Sequence, residues 1–128
     1  MRPIVCQTFV SLDGVINHME HWHFDSVDDE SDAIVLDQLR SSDGLLMGRR
    51  TYEIYAGAWP GREGAYPDLI NAIPKYVVSS TLHDPSWNNT TVLTGDPVPA
   101  ARALKEQDGQ QILMHGYGPV AKTLLAAG

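Results

Sequence analysis

Apolar residues along the chain recur in two rhythms, and the places where one gives way to the other outline the fold. Pro3 to Ser11 mixes apolar residues with Thr and Val and then meets Asp13-Gly14, which predicts a strand ending in a tight turn. Asn17 to Asp29 follows neither the two-residue nor the 3.6-residue period and is rich in His, Asp and Trp, so it is expected to be a long loop of the kind that usually has a task. Ser31 is placed as the cap of a helix with Val35, Leu36 and Leu39 on one face, stopping at Ser41-Ser42-Asp43-Gly44. Leu45-Leu46-Met47 is too short for a helix and continuous, as in a strand covered on both faces. A helix is predicted from Arg49 to about Ala58, ended by Pro60-Gly61, followed by strands at Pro74 to Ser80 and Thr90 to Leu93. A helix over Pro99 to Gln107, a strand over Gln111 to Met114 and a helix over Val120 to Ala127 complete the pattern. Such alternation of strands and helices predicts an α/β fold with a mainly parallel sheet flanked by helices.

The chain has 128 residues, enough for a single domain with its own core. Its apolar runs fall far short of the roughly 20 residues that span a bilayer, so a soluble protein without membrane attachment is expected. The net charge of -7 repels phosphate backbones and argues against general nucleic-acid binding; any phosphate site must be local. The only cysteine, Cys6, lies in the apolar run Ile4 to Val10 and is expected to pack as a small hydrophobe. The N-terminus lacks the apolar h-region of a signal peptide, which makes the cytoplasm the expected location. The glycosylation-like Asn88-Asn89-Thr90-Thr91 is then simply a turn before a strand.

Three segments share one layout, an apolar strand running into small, hydroxyl or basic residues. They are Met47-Gly48-Arg49-Arg50-Thr51, Val78-Ser79-Ser80-Thr81 and Met114-His115-Gly116-Tyr117-Gly118-Pro119. In a parallel sheet these strand ends share the edge where open α/β folds bind ligands. Helix-start N–H groups favour anions, glycine admits a phosphate closely, and Pro119 in a first helical turn removes a donor that has no partner there. Arg49 and Arg50 stand where the helix dipole disfavours cations, which points to an anionic partner. With Ser79, Ser80 and Thr81 they suit a 2′-phosphate, hence NADPH rather than NADH.

The run Leu46-Met47-Gly48-Arg49-Arg50-Thr51-Tyr52-Glu53 resembles the helix-start motif of dihydrofolate reductases, in which a Gly-Arg-x-Thr segment contacts the cofactor phosphates. Val77-Val78-Ser79-Ser80 resembles their second phosphate-contacting strand end, and Ile112 to Gly118 the glycine turn under the pyrophosphate. Ser11-Leu12-Asp13-Gly14, the stretch Pro74 to Leu82 and Trp87-Asn88-Asn89 are closer to small proteins resembling the reductase domain of bacterial riboflavin biosynthesis. The resemblance covers the whole chain. It implies a three-layer dihydrofolate reductase-like fold whose usual C-terminal antiparallel strands are missing after Ala126-Ala127-Gly128. It also implies NADPH held by Gly48 to Thr51, Ser79 to Thr81 and Gly116 to Val120, and hydride transfer to a small heterocyclic or carbonyl-like substrate. A pteridine or a pyrimidine riboflavin precursor is the expected type. The helix carboxylate that holds a pterin in dihydrofolate reductases has no clear counterpart, which turns the expectation away from folate.

The resemblance places Asp13 beside the nicotinamide as the candidate catalytic acid, although an Asp-Gly turn explains it equally well. Trp22, Tyr52 and Trp59 are candidate substrate contacts, with core packing as the competing reading of the tryptophans. His18, Glu20, His21 and His23 match neither a His-Glu-x-x-His helix nor a zinc-finger spacing, and no metal is expected. The alternative to an enzyme is a nucleotide-binding module without turnover. A sheet ending near Gln111 to Met114 would leave an open edge, from which a homodimer is expected.

Overall fold

In the computed structural model, which covers residues 1–128, the strands are β1 (Ile4–Gln7), β2 (Ser42–Gly48), β3 (Lys75–Val78), β4 (Thr90–Leu93) and β5 (Gln111–His115). They form one sheet in the order β1-β5-β2-β3-β4, and every neighbouring pair is parallel. The helices are α1 (Asp29–Arg40), α2 (Arg49–Ala58), α3 (Ala65–Ala72), α4 (Pro97–Glu106) and α5 (Pro119–Ala126). The expected three-layer α/β fold with a parallel sheet is what the chain adopts.

Strand alternation sorts the core into two halves. Leu45, Met47, Val77 and Leu113 point to the face covered by α1, α2 and α3, where they pack with Leu39, Tyr52, Ile70 and Trp87. Leu46, Ile112 and Met114 point to the other face and meet Leu104 of α4 and Ala121 of α5. Burial on both sides is why Leu45-Leu46-Met47 and Ile112-Leu113-Met114 read as continuous apolar runs.

Several boundaries moved for identifiable reasons. The cap of α1 is Asp28, whose carboxylate accepts from the Ser31 N–H at 2.8 Å, and Ser31 lies inside the helix. Likewise Asp96 caps α4 by accepting from the Val98 N–H, so that helix starts two residues before Pro99. Ser42-Asp43-Gly44, expected as a helix stop, opens β2 with a register shift against β5. Asp43 takes the Arg2 guanidinium at 2.5 Å and the Gln110 N–H at 2.9 Å, while Arg2 also donates to the Leu104 carbonyl. Gly109, at φ +150°, sits against this cluster, where a Cβ would overlap the Asp43 carboxylate and come within 2.6 Å of Arg2. The loop from Asn17 contains two short 3₁₀ turns, Met19–His21 and Phe24–Ser26.

The open edge of the sheet is not where the sequence put it. β5 is internal, paired on one side with β1 and on the other with β2, so the edge strands are β1 and β4. Cys6 also departs from expectation: it is exposed, with its thiol donating to the Gly116 carbonyl at 3.3 Å. No helix is long and apolar enough to cross a membrane.

Candidate functional site

The chain leaves β2 into α2 on one face of the sheet and leaves the adjacent β5 into α5 on the other face. A crevice must open between two such carboxyl ends, and open α/β sheets bind ligands there. Gly48 and Gly118 are the N-caps of α2 and α5, and neither helix has a side-chain cap or an acidic residue in its first turn. Their first N–H groups therefore have no competitor for an anion. The two helix starts are close: a Cβ on Gly48 would touch Val120 at 3.4 Å. Gly116 takes φ +82°, a conformation open to glycine, and its N–H donates to the Gln7 carbonyl at 2.7 Å.

The end of β3 joins the same edge. Arg49 donates to the Thr81 hydroxyl and, through Nε, to Glu53 at 2.9 Å, while the Ser79 hydroxyl accepts from the backbone N–H groups of Thr81 and Leu82. Arg50 is exposed and forms no ion pair, which leaves its charge free beside the α2 N-terminus. The structure thus gathers the three strand ends that the sequence singled out.

Beside them, under the loop from Asn17, lies a cavity of about 210 Å³. Its floor is made by the last residues of β1 and β5, Gln7 and His115, which are register partners. Thr51, Ile54 and Tyr55 from α2 form one wall, Tyr66 of α3 and Val35 of α1 another, and Phe9, Ile16 and Met19 the roof. Thr51 and Gly116 line this cavity and also belong to the strand-end motifs, so the two regions are continuous. A larger groove of about 470 Å³ lies on the opposite face along β1, α4 and α5, and it is mostly apolar. The smaller cavity is the candidate site because half-buried polar side chains, Gln7, Thr51, Tyr55 and His115, line it and it adjoins the strand ends.

Tyr55 Oη and His115 Nδ1 are 3.0 Å apart. Burial holds the His115 imidazole down to about 4 and pushes the Tyr55 phenol up to about 12. At neutral pH the ring is uncharged and the phenol protonated. In this pair the phenol donates to Nδ1 when the ring proton sits on Nε2, and accepts from it when the proton sits on Nδ1. That Nε2 and the Gln7 Oε1 are buried with no protein partner.

Other candidates are placed as follows. Asp13 is exposed in the turn after β1, accepting from the Ser11 hydroxyl at 2.5 Å. Tyr52 is buried in the core, its hydroxyl accepting from the Trp87 N–H at 3.2 Å, and does not line the cavity. Trp59 stacks behind the wall against Tyr66, with ring centroids 5.0 Å apart. Trp22 donates to the Asn17 carbonyl at 2.9 Å and braces the loop. His23 stacks on Phe9 at 3.9 Å, whereas His18, Glu20 and His21 form an exposed cluster with ligand atoms within 4.8 Å of one another.

Gln7, Tyr55 and His115 were not singled out by sequence reasoning. Thr51 and Tyr55 are four apart on α2, a spacing that shares a face, but nothing local says which face meets a cavity. The usable signal was polar: a glutamine and a histidine ending apolar strands.

No curated protein matches the chain. A family model described as the RibD C-terminal domain matches residues 2–128. The chain therefore belongs to that family, the reductase domain of riboflavin biosynthesis, within the dihydrofolate reductase-like superfamily.

Proposed function

We propose that the chain is an NADPH-dependent reductase acting on a small heterocycle, a pyrimidine or pteridine type, bound in the cavity over Gln7 and His115. The observation that carries this reading is the continuity between the glycine-capped helix starts and the cavity lined by Gln7, Thr51, Tyr55 and His115. The residues fit a dinucleotide phosphate: two uncapped helix N-termini, a glycine at positive φ, and an arginine without an anionic partner. Gly116 to Val120 would hold the pyrophosphate, and Arg49, Arg50 and Ser79 to Thr81 the 2′-phosphate. When bound, the cofactor supplies the hydride. The loop from Asn17 excludes water from above, Thr51 and Tyr55 position the acceptor from the side, and Asp13 remains the candidate proton source from the β1 turn. Oxidation of NADPH in the presence of pyrimidine and pteridine acceptors tests the reaction; tight binding with no acceptor turned over would support a non-catalytic nucleotide-binding module instead.

Arg50 carries the preference for NADPH because its guanidinium is the one not shared with Glu53 or Thr81. A charge-assisted bond is worth roughly 1.5 to 3 kcal/mol, so Arg50→Ala is expected to weaken NADPH at least about tenfold while sparing NADH. Equal weakening of both cofactors in a fluorescence titration would remove Arg50 from the 2′-phosphate site.

The free edge of β1 and the apolar groove beside it favour a homodimer. Sedimentation over a wide concentration range checks this, and a monomer throughout would contradict it.

A further inference from the structure

We infer that His18, Glu20 and His21 form a binding site for one zinc-class divalent cation, which clamps the turn that roofs the cavity. The site lies on the outer side of the loop from Asn17 and is independent of the cofactor and of the reaction proposed above.

Local geometry brings the three residues together. Met19–His21 is a 3₁₀ turn, and the His21 N–H closes it by donating to the His18 carbonyl at 3.0 Å. Such a helix has three residues per turn, so side chains three apart are eclipsed and His18 and His21 fall on one side. Zinc patterns on α-helices rely on residues four apart instead, which is why this spacing matched none in the sequence. The turn is also braced. The N–H groups of Trp22 and His23 donate to the Met19 carbonyl at 3.2 and 2.8 Å, and the Trp22 indole donates to the Asn17 carbonyl at 2.9 Å. A cation therefore meets ligands whose backbone is already ordered, which lowers the cost of binding.

The distances suit a metal. His18 Nδ1 lies 3.2 Å and His21 Nε2 3.6 Å from the same oxygen, Glu20 Oε1. No ligand atom of the three is more than 4.8 Å from another. Around a tetrahedral zinc with bonds of about 2.0–2.2 Å, neighbouring ligand atoms are roughly 3.3–3.5 Å apart. Two of the three edges are thus close to the required length. The third, between the imidazoles, closes by rotation of side chains that are exposed. Two imidazole nitrogens and one carboxylate oxygen are a set for zinc, whereas magnesium and calcium take oxygen ligands. Three protein ligands leave the fourth position to water. His23 is outside the set, since its ring stacks on Phe9. Met19 sits between the ligands in sequence and lines the cavity, so a cation held by its neighbours fixes the roof from outside.

Isothermal titration of the untagged chain, stripped of metal with a chelator and dialysed, tests the site with zinc chloride and with magnesium chloride. One zinc should bind per chain with a Kd of about 10 µM or tighter, and magnesium at least about a hundredfold more weakly. His21→Ala and Glu20→Gln should each weaken zinc at least about tenfold. His83→Ala, which removes an exposed histidine elsewhere in the chain, should leave zinc binding unchanged. The melting temperatures of these variants without zinc should match that of the wild type, because the substituted side chains are exposed. Zinc should also slow amide hydrogen exchange at His21, Trp22 and His23, whose N–H groups hold the turn. Absence of saturable zinc binding, magnesium binding as tight as zinc, or equal losses in His83→Ala and His21→Ala would overturn the site. Unchanged exchange at those three amides would overturn the clamp.

Discussion

Replacing Gly118 with valine is expected to abolish measurable NADPH binding, a loss of at least about a hundredfold or roughly 2.7 kcal/mol, while the protein stays folded. The argument starts from backbone geometry. Gly118 has φ -111° and ψ -164°, an extended conformation that valine adopts readily, and a Cβ there meets no atom within 4 Å. The substitution is therefore tolerated by the fold. It nevertheless places a branched side chain at the N-cap of α5, over the N–H groups that the proposal assigns to the pyrophosphate. Gly116 is the poorer choice for this test, because its φ of +82° would strain any side chain and confuse a binding loss with a folding defect. Unchanged affinity in folded Gly118→Val would move the cofactor away from this turn, and an unfolded variant would contradict the open space around it.

The second large effect is on stability and comes from His115. Its folded-state value of about 4 lies well below the ordinary 6.5 of histidine. Between those values the unfolded chain binds the proton and the folded chain does not. Stability is therefore full above pH 6.5 and falls as the pH drops from 6.5 toward 4, by about 3 kcal/mol at roughly 1.4 kcal/mol per pKa unit. Carboxylates titrate in part of the same window, so the useful quantity is a difference. Urea unfolding of the wild type and of His115→Asn across that range should show a steeper loss for the wild type. Parallel curves would mean that His115 titrates normally and is not sealed beneath the cavity.

The frame of the fold was legible in the sequence because burial on both faces leaves a mark that composition alone does not. Leu45-Leu46-Met47 and Ile112-Leu113-Met114 are the central strands, and each was visible as an apolar run with a glycine soon after it. The run from Arg49 to Ala58 was bounded at both ends by residues that act locally, Gly48 before it and Pro60-Gly61 after it. Helix α3 was missed. Its eight residues carry a proline at position 67, and its apolar residues, Leu69 and Ile70 with Ile73 at the C-cap, span too few turns to establish a period. Strand β1 was overextended because Phe9 and Val10 continue the β-like composition, yet pairing with β5 ends at Gln7 opposite His115.

The candidate site was legible in the half that depends on backbone and not in the half that depends on assembly. Glycine, serine and arginine at strand ends are local signals, and the parallel sheet brings them to one edge. The sheet order was not readable, so the sequence put the open edge at Gln111 to Met114 while β1 occupies it. The same gap hid the cavity floor. Gln7 and His115 are 108 positions apart and become neighbours only because β5 inserts between β1 and β2. Tyr52 looked available on the helix-start motif, but the turn of α2 sends it into the core and presents Thr51 and Tyr55 to the cavity.

The most direct test of the reductase account is isothermal titration of the wild-type chain with NADPH and with NADH under the same salt conditions. The account predicts saturable binding of NADPH at least about tenfold tighter than of NADH, set by the 2′-phosphate against Arg50. Binding of neither cofactor, or equal affinity for both, would contradict it.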